Sequence, residues 1–81
     1  MKEPIPTAAI RDEYIELFKL IKRENMAASG GEAKHIISEG MVRVNGKVET
    51  RKRRKTVAGD IVECHGEQIQ VVQRSDHKTE G

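Results

Sequence analysis

The sequence of 81 residues is poor in cysteine, in aromatic side chains and in long apolar runs. Because Cys64 is the one cysteine, no internal disulfide can form, and we expect a reducing, cytoplasmic compartment. One cysteine and three widely spaced histidines do not make a zinc site, so we expect neither a metal nor another cofactor. No stretch of about 18 apolar residues occurs, so we expect no membrane-spanning helix.

The short chain also disfavours an enzyme. A domain of this size buries only about 60% of the surface that its unfolded chain exposes, which leaves little room for a catalytic cleft. Cys64 and His65 are adjacent in a predicted strand, so their side chains should point to opposite faces rather than form a dyad. No Ser/His/Asp set, long glycine-rich phosphate loop or pair of carboxylates stands out. We expect a non-catalytic monomer without a small-molecule substrate.

The positive charge is concentrated in one short stretch. Residues 1–40 carry six basic and seven acidic side chains, and residues 56–81 carry two basic and five acidic ones. Between them, Glu49 alone opposes seven basic side chains: Arg43, Lys47, Arg51, Lys52, Arg53, Arg54 and Lys55. This asymmetry is typical of a protein with a polyanionic partner. A solvated charge run that only keeps the protein soluble is the alternative.

Two helices are predicted in the first half of the chain. Residues 1–11, which contain two prolines, should form an extended lead-in. Apolar residues then recur with helical spacing, which predicts a helix over about 12–24. Ser29 and Glu32 form a capping-box pattern, and Gly40 suits a helix C-terminus, so a second helix should span about 30–39.

The second half predicts about four short antiparallel strands. Val42 to Val48 alternates around Asn45-Gly46, which is a strong hairpin signal. Further strands are expected at 61–64 and 69–72, after turns at Ala58-Gly59-Asp60 and around His65-Gly66-Glu67. Together these elements predict a single α+β domain over 12–72, with two helices packed on a small antiparallel sheet and a flexible tail over 73–81.

Two features could bind phosphate groups. The basic loop, which we define as residues 51–55, should be exposed, and its arginines suit bidentate contacts to phosphate. The second helix presents free N–H groups at Gly30-Gly31, where no Cβ hinders an anion, and Lys34 lies one turn further along. The competing interpretation is that Ser29 and Glu32 only cap the helix and that Gly30 and Gly31 only form its entry turn.

The aromatic residues indicate how a nucleic acid would be recognised. Tyr14 and Phe18 both fall on the apolar stripe of the first predicted helix, so we expect them in the core. Proteins that bind single-stranded nucleic acid stack the bases on exposed aromatic rings. With none left exposed, recognition should depend on phosphates, 2′-hydroxyls and shape, which favours structured RNA.

Several motifs in order resemble the S4 RNA-binding domain family. These are Ser-Gly-Gly-Glu-Ala-Lys at 29–34, Ile-Ile-Ser-Glu-Gly at 36–40, Val-Arg-Val-Asn-Gly at 42–46 and Ala-Gly-Asp-Ile-Val at 58–62. The resemblance covers about residues 13–72, and the Val-Glu-Thr-Arg-Lys-Arg segment at 48–53 is similar to short stand-alone members of the YbcJ/YaaA type. It implies two helices on a small bent sheet (the αL motif) and RNA binding through the second helix, the hairpin and the loop, with Lys34 at a basic position.

One departure from the family concerns Gly30, where many members have Arg directly after the capping Ser. We expect the basic loop to supply the missing charge. The leading hypothesis is a cytoplasmic protein that docks on structured RNA, such as ribosomal RNA or ribosomal particles, through Gly30, Gly31, Lys34, Arg43, Lys47 and Arg51 to Lys55. The alternatives are an adaptor whose basic loop meets an acidic protein surface, the RNA-binding arm of a larger enzyme, and a binder of duplex DNA.

Overall fold

The computed structural model describes residues 5–74, which form two helices and seven short strands. In chain order these are β1 (Thr7–Ile10), β2 (Ile15–Glu16), α1 (Leu17–Arg23), α2 (Gly30–Ser38), β3 (Val42–Val44), β4 (Lys47–Val48), β5 (Lys55–Thr56), β6 (Ile61–Cys64) and β7 (Glu67–Gln73). The predicted α+β class is confirmed, as are the four predicted strands. The strands β1, β2 and β5 were not predicted.

The main sheet is mixed, because one parallel pair lies beside the expected antiparallel ones. Its strand order is β1-β7-β6-β3-β4, and β1 runs parallel to β7 with Ala8 opposite Val71. The first strand lies within the stretch that the sequence assigns to a lead-in. Ala8 and Ile10 are each only 2% exposed, and their alternation with exposed neighbours places them on the inner face of the sheet.

Both helices pack on one face of this sheet and enclose a single core. The buried apolar side chains are Ala8, Ile10, Leu17, Phe18, Leu20, Ile21, Met26, Ala27, Ala33, Ile36, Ile37, Val42, Val44, Val62, Cys64, Ile69 and Val71. Cys64 is buried among them as a small apolar group, and burial raises the pKa of its thiol. His65 lies in the turn after β6, not in the strand, and is exposed.

The first helix begins later than the sequence predicts. The pattern places its start near Asp12, but Ile15–Glu16 is a strand paired with β5, and α1 begins at Leu17. Tyr14 therefore lies outside the helix with 39% of its surface exposed, and the prediction that it belongs to the core is wrong. Phe18 is buried as expected. The pairing with β5, which lies about 40 residues further along the chain, overrides the local helical spacing.

The second helix and the hairpins follow their local signals. The Ser29 hydroxyl accepts from the Glu32 N–H at 3.1 Å, and the Glu32 carboxylate reaches back to the Ala28 N–H. Gly40, with φ of 79°, follows the last turn of α2. Asn45 and Gly46 both have positive φ, as a two-residue hairpin turn requires. Of the predicted tail at 73–81, Gln73 closes β7, and residues 75–81 lie outside the described part of the chain.

Candidate functional site

The basic loop is fixed by its backbone to the start of α1. The Leu17 N–H donates to the carbonyl of Arg54 and the Phe18 N–H donates to the carbonyl of Lys52, both at 3.0 Å. No side chain caps this helix, so these loop carbonyls satisfy N–H groups that would otherwise lack partners. The side chains of Lys52 and Arg53 remain exposed. A loop of five consecutive cations thus has a defined backbone position.

Arg54 is partly buried in ion pairs and stabilises the fold rather than exposing its charge. Its Nε lies 3.0 Å from Glu49 Oε1 and its Nη1 lies 3.1 Å from Asp60 Oδ2, and only 23% of the side chain is exposed. Asp60 also accepts from the Val57 N–H and from the Asn45 side-chain amide. Burial opposes ionisation of Asp60, but these hydrogen bonds and Arg54 outweigh it and hold the pKa of that carboxyl below its ordinary value. Asp60 therefore joins the hairpin turn to the basic loop.

Glu49 orders the other end of the loop. Its carboxylate accepts from Arg51 Nε at 3.0 Å, from Arg51 Nη2 at 3.1 Å and from the Arg51 backbone N–H at 2.9 Å. The side-chain hydrogen bond with Arg51 is the largest cause that lowers the pKa of Glu49 to about 2. Because 75% of the Arg51 side chain is exposed, its guanidinium stays accessible while it is held in place.

A cluster of cations surrounds the ring of Phe18. Lys34 Nζ lies 4.7 Å from the ring centroid, Arg53 Cζ lies 5.4 Å away and Lys19 Nζ lies 5.9 Å away. These distances suit cation–π contacts. The three side chains come from α2, the basic loop and α1. Phe18 therefore brings charges from three separate elements to one place, which we call the cation cluster.

The start of α2 lies next to this cluster along the helix. Gly30 and Lys34 are one turn apart, so they share a face of α2. A Cβ built on Gly30 would meet the side chain of Lys22 at 4.0 Å, and one on Gly31 would meet the Ser29 hydroxyl at 3.9 Å. At both positions a Cβ would make an ordinary van der Waals contact without a clash. Lys22 adds a further cation at this end.

The side chains of the basic loop border an open depression of about 580 Å³. Its lining is formed by Arg51, Arg53, Arg54 and Lys55. Arg53 also donates to Glu16 at 3.1 Å, with 63% of its side chain exposed, and Lys55 Nζ lies 5.0 Å from the Tyr14 ring centroid. Lys52 is exposed and makes no ion pair within residues 5–74. The depression is a concave surface of one charge sign.

Two of the predicted site residues lie apart from this surface. Arg43 is exposed in the middle of β3, between inward-facing Val42 and Val44, so it projects from the face of the sheet that the helices leave open. There it stands opposite Glu63 of β6. Lys47 pairs with Val44 at the hairpin tip and is exposed. The structure thus brings Lys34 and the basic loop together, but neither Arg43 nor Lys47 joins them.

Sequence reasoning missed several residues that shape the site. Lys19 and Lys22 contribute cations from α1, and an exposed i, i+3 pair of lysines on a short helix was the available signal. Glu49 was visible as the single acid among seven bases, which indicates ion pairs. Asp60 gave no such signal, because its partners Asn45 and Arg54 meet it only through the fold.

The described residues contain neither a candidate metal site nor a candidate membrane-spanning helix. Between residues 5 and 74 no group of three or more His, Cys, Asp or Glu side chains is arranged to hold a metal ion. Neither of the two helices described above is long and apolar enough to cross a membrane.

Comparison with known proteins identifies the same family that the sequence motifs resemble. The model of the family described as the S4 domain matches residues 8–72. YbcJ of Escherichia coli (strain K12), named "Putative RNA-binding protein YbcJ", is 51% identical over 59 residues, which cover 73% of this chain and 84% of YbcJ. RlbA of Bacillus subtilis (strain 168), named "Probable ribosome maturation protein RlbA", is 39% identical over 66 residues, which cover 82% of this chain and 89% of RlbA.

A solved structure shares the fold. The solution structure of YbcJ from E. coli, described as revealing an αL motif involved in RNA-binding, matches with a TM-score of 0.66 and 42% sequence identity. The match covers 89% of this chain and 92% of that one. The resemblance read from the sequence motifs is therefore confirmed, and the chain belongs to the S4 domain family.

Proposed function

We propose that this protein binds structured RNA through one continuous basic surface and has no catalytic activity of its own. The surface runs from the start of α2, through the cation cluster, to the depression bordered by the basic loop. We name its residues as Lys19, Lys22, Gly30, Gly31, Lys34, Arg51, Lys52, Arg53 and Lys55. Arg54 supports this surface through its ion pairs with Glu49 and Asp60, whereas Arg43 and Lys47 lie outside it.

The observation that carries the proposal is the meeting of Lys34 and Arg53 on the ring of Phe18. Two cations from elements 19 residues apart in sequence lie 4.7 and 5.4 Å from one ring centroid. Their mutual repulsion is unfavourable for the isolated protein. A phosphate group placed between them would relieve this repulsion and release counterions, which is the main source of affinity for nucleic acid.

The ordered backbone of the loop supports binding to a folded rather than a flexible partner. Because the carbonyls of Lys52 and Arg54 are fixed to α1, the loop loses little conformational freedom when it binds. A surface of fixed shape suits an RNA whose phosphates are also fixed. Duplex DNA is a poorer partner, because no described helix presents a row of basic and amide side chains for the major groove.

Ribosomal RNA is the specific partner that we propose. RlbA is named for ribosome maturation and YbcJ for RNA binding, and both match most of this chain. A protein of this size can dock on an RNA particle during its assembly without performing a reaction. Such a role fits a cytoplasmic monomer.

The test is a salt titration with a structured ribosomal RNA fragment. Each phosphate neutralised should add about 0.7 to 0.9 to the log–log slope of affinity against salt, so we expect a slope of several units. A slope near zero would contradict RNA binding. If partner capture from cells survives nuclease treatment undiminished, the basic loop binds an acidic protein instead.

A matched pair of single substitutions tests the location of the surface. Lys52→Ser and Arg43→Ser each remove one exposed positive charge, but only Lys52 lies on the proposed surface. We expect Lys52→Ser to lower both the affinity and the salt slope, and Arg43→Ser to change them much less. Equal effects would show that net charge, rather than this surface, governs binding.

A further inference from the structure

A second depression lies beside the basic one and has a different chemical character. Its volume is about 350 Å³, and it is lined by Asp12, Tyr14, Ile15, Glu16 and Lys19. This is within the range of about 300–1,000 Å³ found for small-ligand sites. It combines an exposed aromatic ring, an apolar side chain, two carboxylates and one cation, whereas the neighbouring depression is lined only by cations.

Tyr14 is held in position although it is exposed. Directly after it, β2 pairs with β5, so that Ile15 lies opposite Thr56 and Glu16 opposite Lys55. Thr56 is fully buried, which anchors the strand pair to the body of the protein. The ring of Tyr14 therefore projects from a fixed backbone with 39% of its surface exposed. An exposed aromatic ring on a rigid support is the feature that single-base recognition requires.

Lys55 connects the two depressions. Its Nζ lies 5.0 Å from the Tyr14 ring centroid, and its side chain also lines the basic depression. A nucleotide carries its negative charge and its aromatic base next to each other, joined through one sugar. The order of cation and ring along this surface matches that arrangement.

We propose that Tyr14 stacks on one unpaired base of the bound RNA while Lys55 and the basic loop hold the phosphate beside it. This inference rests on the proposed RNA binding and adds recognition of an extruded nucleotide to it. Asp12 lines the same depression and makes no ion pair or side-chain hydrogen bond among the described residues. Its carboxylate is placed to accept from an exocyclic amino group, as on cytosine, and would repel the carbonyl oxygens of uracil.

The experiment compares two RNA hairpins that differ in one nucleotide. One stem is fully paired, and the other carries a single bulged cytosine. The full-length protein should bind the bulged RNA about 5- to 150-fold more tightly, the factor expected for stacking one base on an aromatic ring. Tyr14→Phe keeps the ring and should keep this preference, whereas Tyr14→Leu should lose most of it. Met41→Leu, at an exposed residue outside the depression, is the matched control.

A spectroscopic measurement reports stacking independently of affinity. When 2-aminopurine replaces the bulged base, its fluorescence should fall on binding to the unaltered protein, and should fall less with Tyr14→Leu. Thermal unfolding shows whether each variant is folded. A bulged uracil should bind less tightly than a bulged cytosine, and Asp12→Asn should reduce that difference.

The outcomes separate this inference from the proposed function. If the protein binds both hairpins with equal affinity and a steep salt dependence, RNA binding stands and base recognition by Tyr14 is wrong. If it binds neither hairpin at any salt concentration, the proposed function fails and the inference fails with it. Equal affinities for bulged cytosine and uracil would overturn the role of Asp12.

Discussion

Arg54 and Asp60 form an ion pair of 3.1 Å at the centre of the charge network beneath the basic loop. Their side chains are only 23% and 12% exposed, in contrast to the other arginines of the loop. The longest basic run of the sequence therefore contains two kinds of residue. Arg54 positions the loop, while Arg51 and Arg53 expose their charges at the surface.

Replacing Arg54 should lower stability more than replacing its neighbours. Arg54→Ser leaves Asp60 and Glu49 without their shared partner, and we expect the free energy of unfolding to fall by about 1–3 kcal/mol. Arg53→Ser removes only exposed contacts and should cost less than about 1 kcal/mol. Urea denaturation of both variants measures the difference. Equal losses would contradict the structural role of Arg54.

Stability should decrease in acid because of Glu49. Its pKa is about 2 in the folded protein against 4.5 for an ordinary glutamate, owing first to the hydrogen bond with Arg51. As the pH falls, the unfolded chain binds the proton first, so the stabilisation is complete above about pH 4.5 and is lost toward pH 2. The lowered pKa of Asp60 acts in the same direction.

Denaturation at several pH values checks this dependence. The free energy of unfolding should decrease steadily between pH 4.5 and pH 2, and Glu49→Gln should make that decrease shallower. The variant should also be less stable at neutral pH, since its amide cannot replace the charged contacts with Arg51. An unchanged acid slope would show that Glu49 is not responsible.

Glu16 forms ion pairs with two cations of the proposed RNA-binding surface, so it would compete with RNA phosphates for them. Its Oε1 lies 3.1 Å from Arg53 Nη1 and 3.7 Å from Lys19 Nζ. Glu16→Gln removes the negative charge, so affinity for a fully paired RNA hairpin should rise about two- to fivefold, the range expected for exposed ion pairs. Fluorescence anisotropy at fixed salt measures this change. Glu24→Gln, at an acid paired with Arg23 instead, is the control and should have a smaller effect.

Restoring Arg at Gly30 should strengthen binding. The nearest atom to a Cβ there is Cδ of the flexible Lys22 side chain, at 4.0 Å, so a Cβ fits without a clash. Gly30→Arg should raise RNA affinity and add about 0.7 to 0.9 to the salt slope if the new guanidinium meets a phosphate. Gly30→Ala, which adds only the Cβ, separates the steric effect from the charge. Loss of affinity in both variants would show that the backbone of α2 must itself approach the RNA.

Short sequence motifs correctly predicted the helix and the hairpin whose boundaries are set by residues close to them in the chain. The capping pair Ser29 and Glu32 marked the start of α2, and Asn45-Gly46 marked the first hairpin, because caps and tight turns depend on side chains and φ angles within a few residues. The start of α1 was misplaced for the opposite reason. Its first N–H groups bond to loop carbonyls more than 30 residues away, a contact that no local pattern encodes.

By itself, the sequence determined that the chain is a small α+β domain with its positive charge concentrated in 41–55, since periodicity and charge are properties of neighbouring residues. Only the tertiary structure decided which charges act together. It placed Lys34 beside Arg53 on Phe18, turned Arg43 to the other face of the sheet, paired Arg54 with Asp60 and left Tyr14 exposed. Each of these arrangements depends on strand pairing and packing between segments that are distant in sequence. The free energy of the whole fold decides them, so no single segment predicts them.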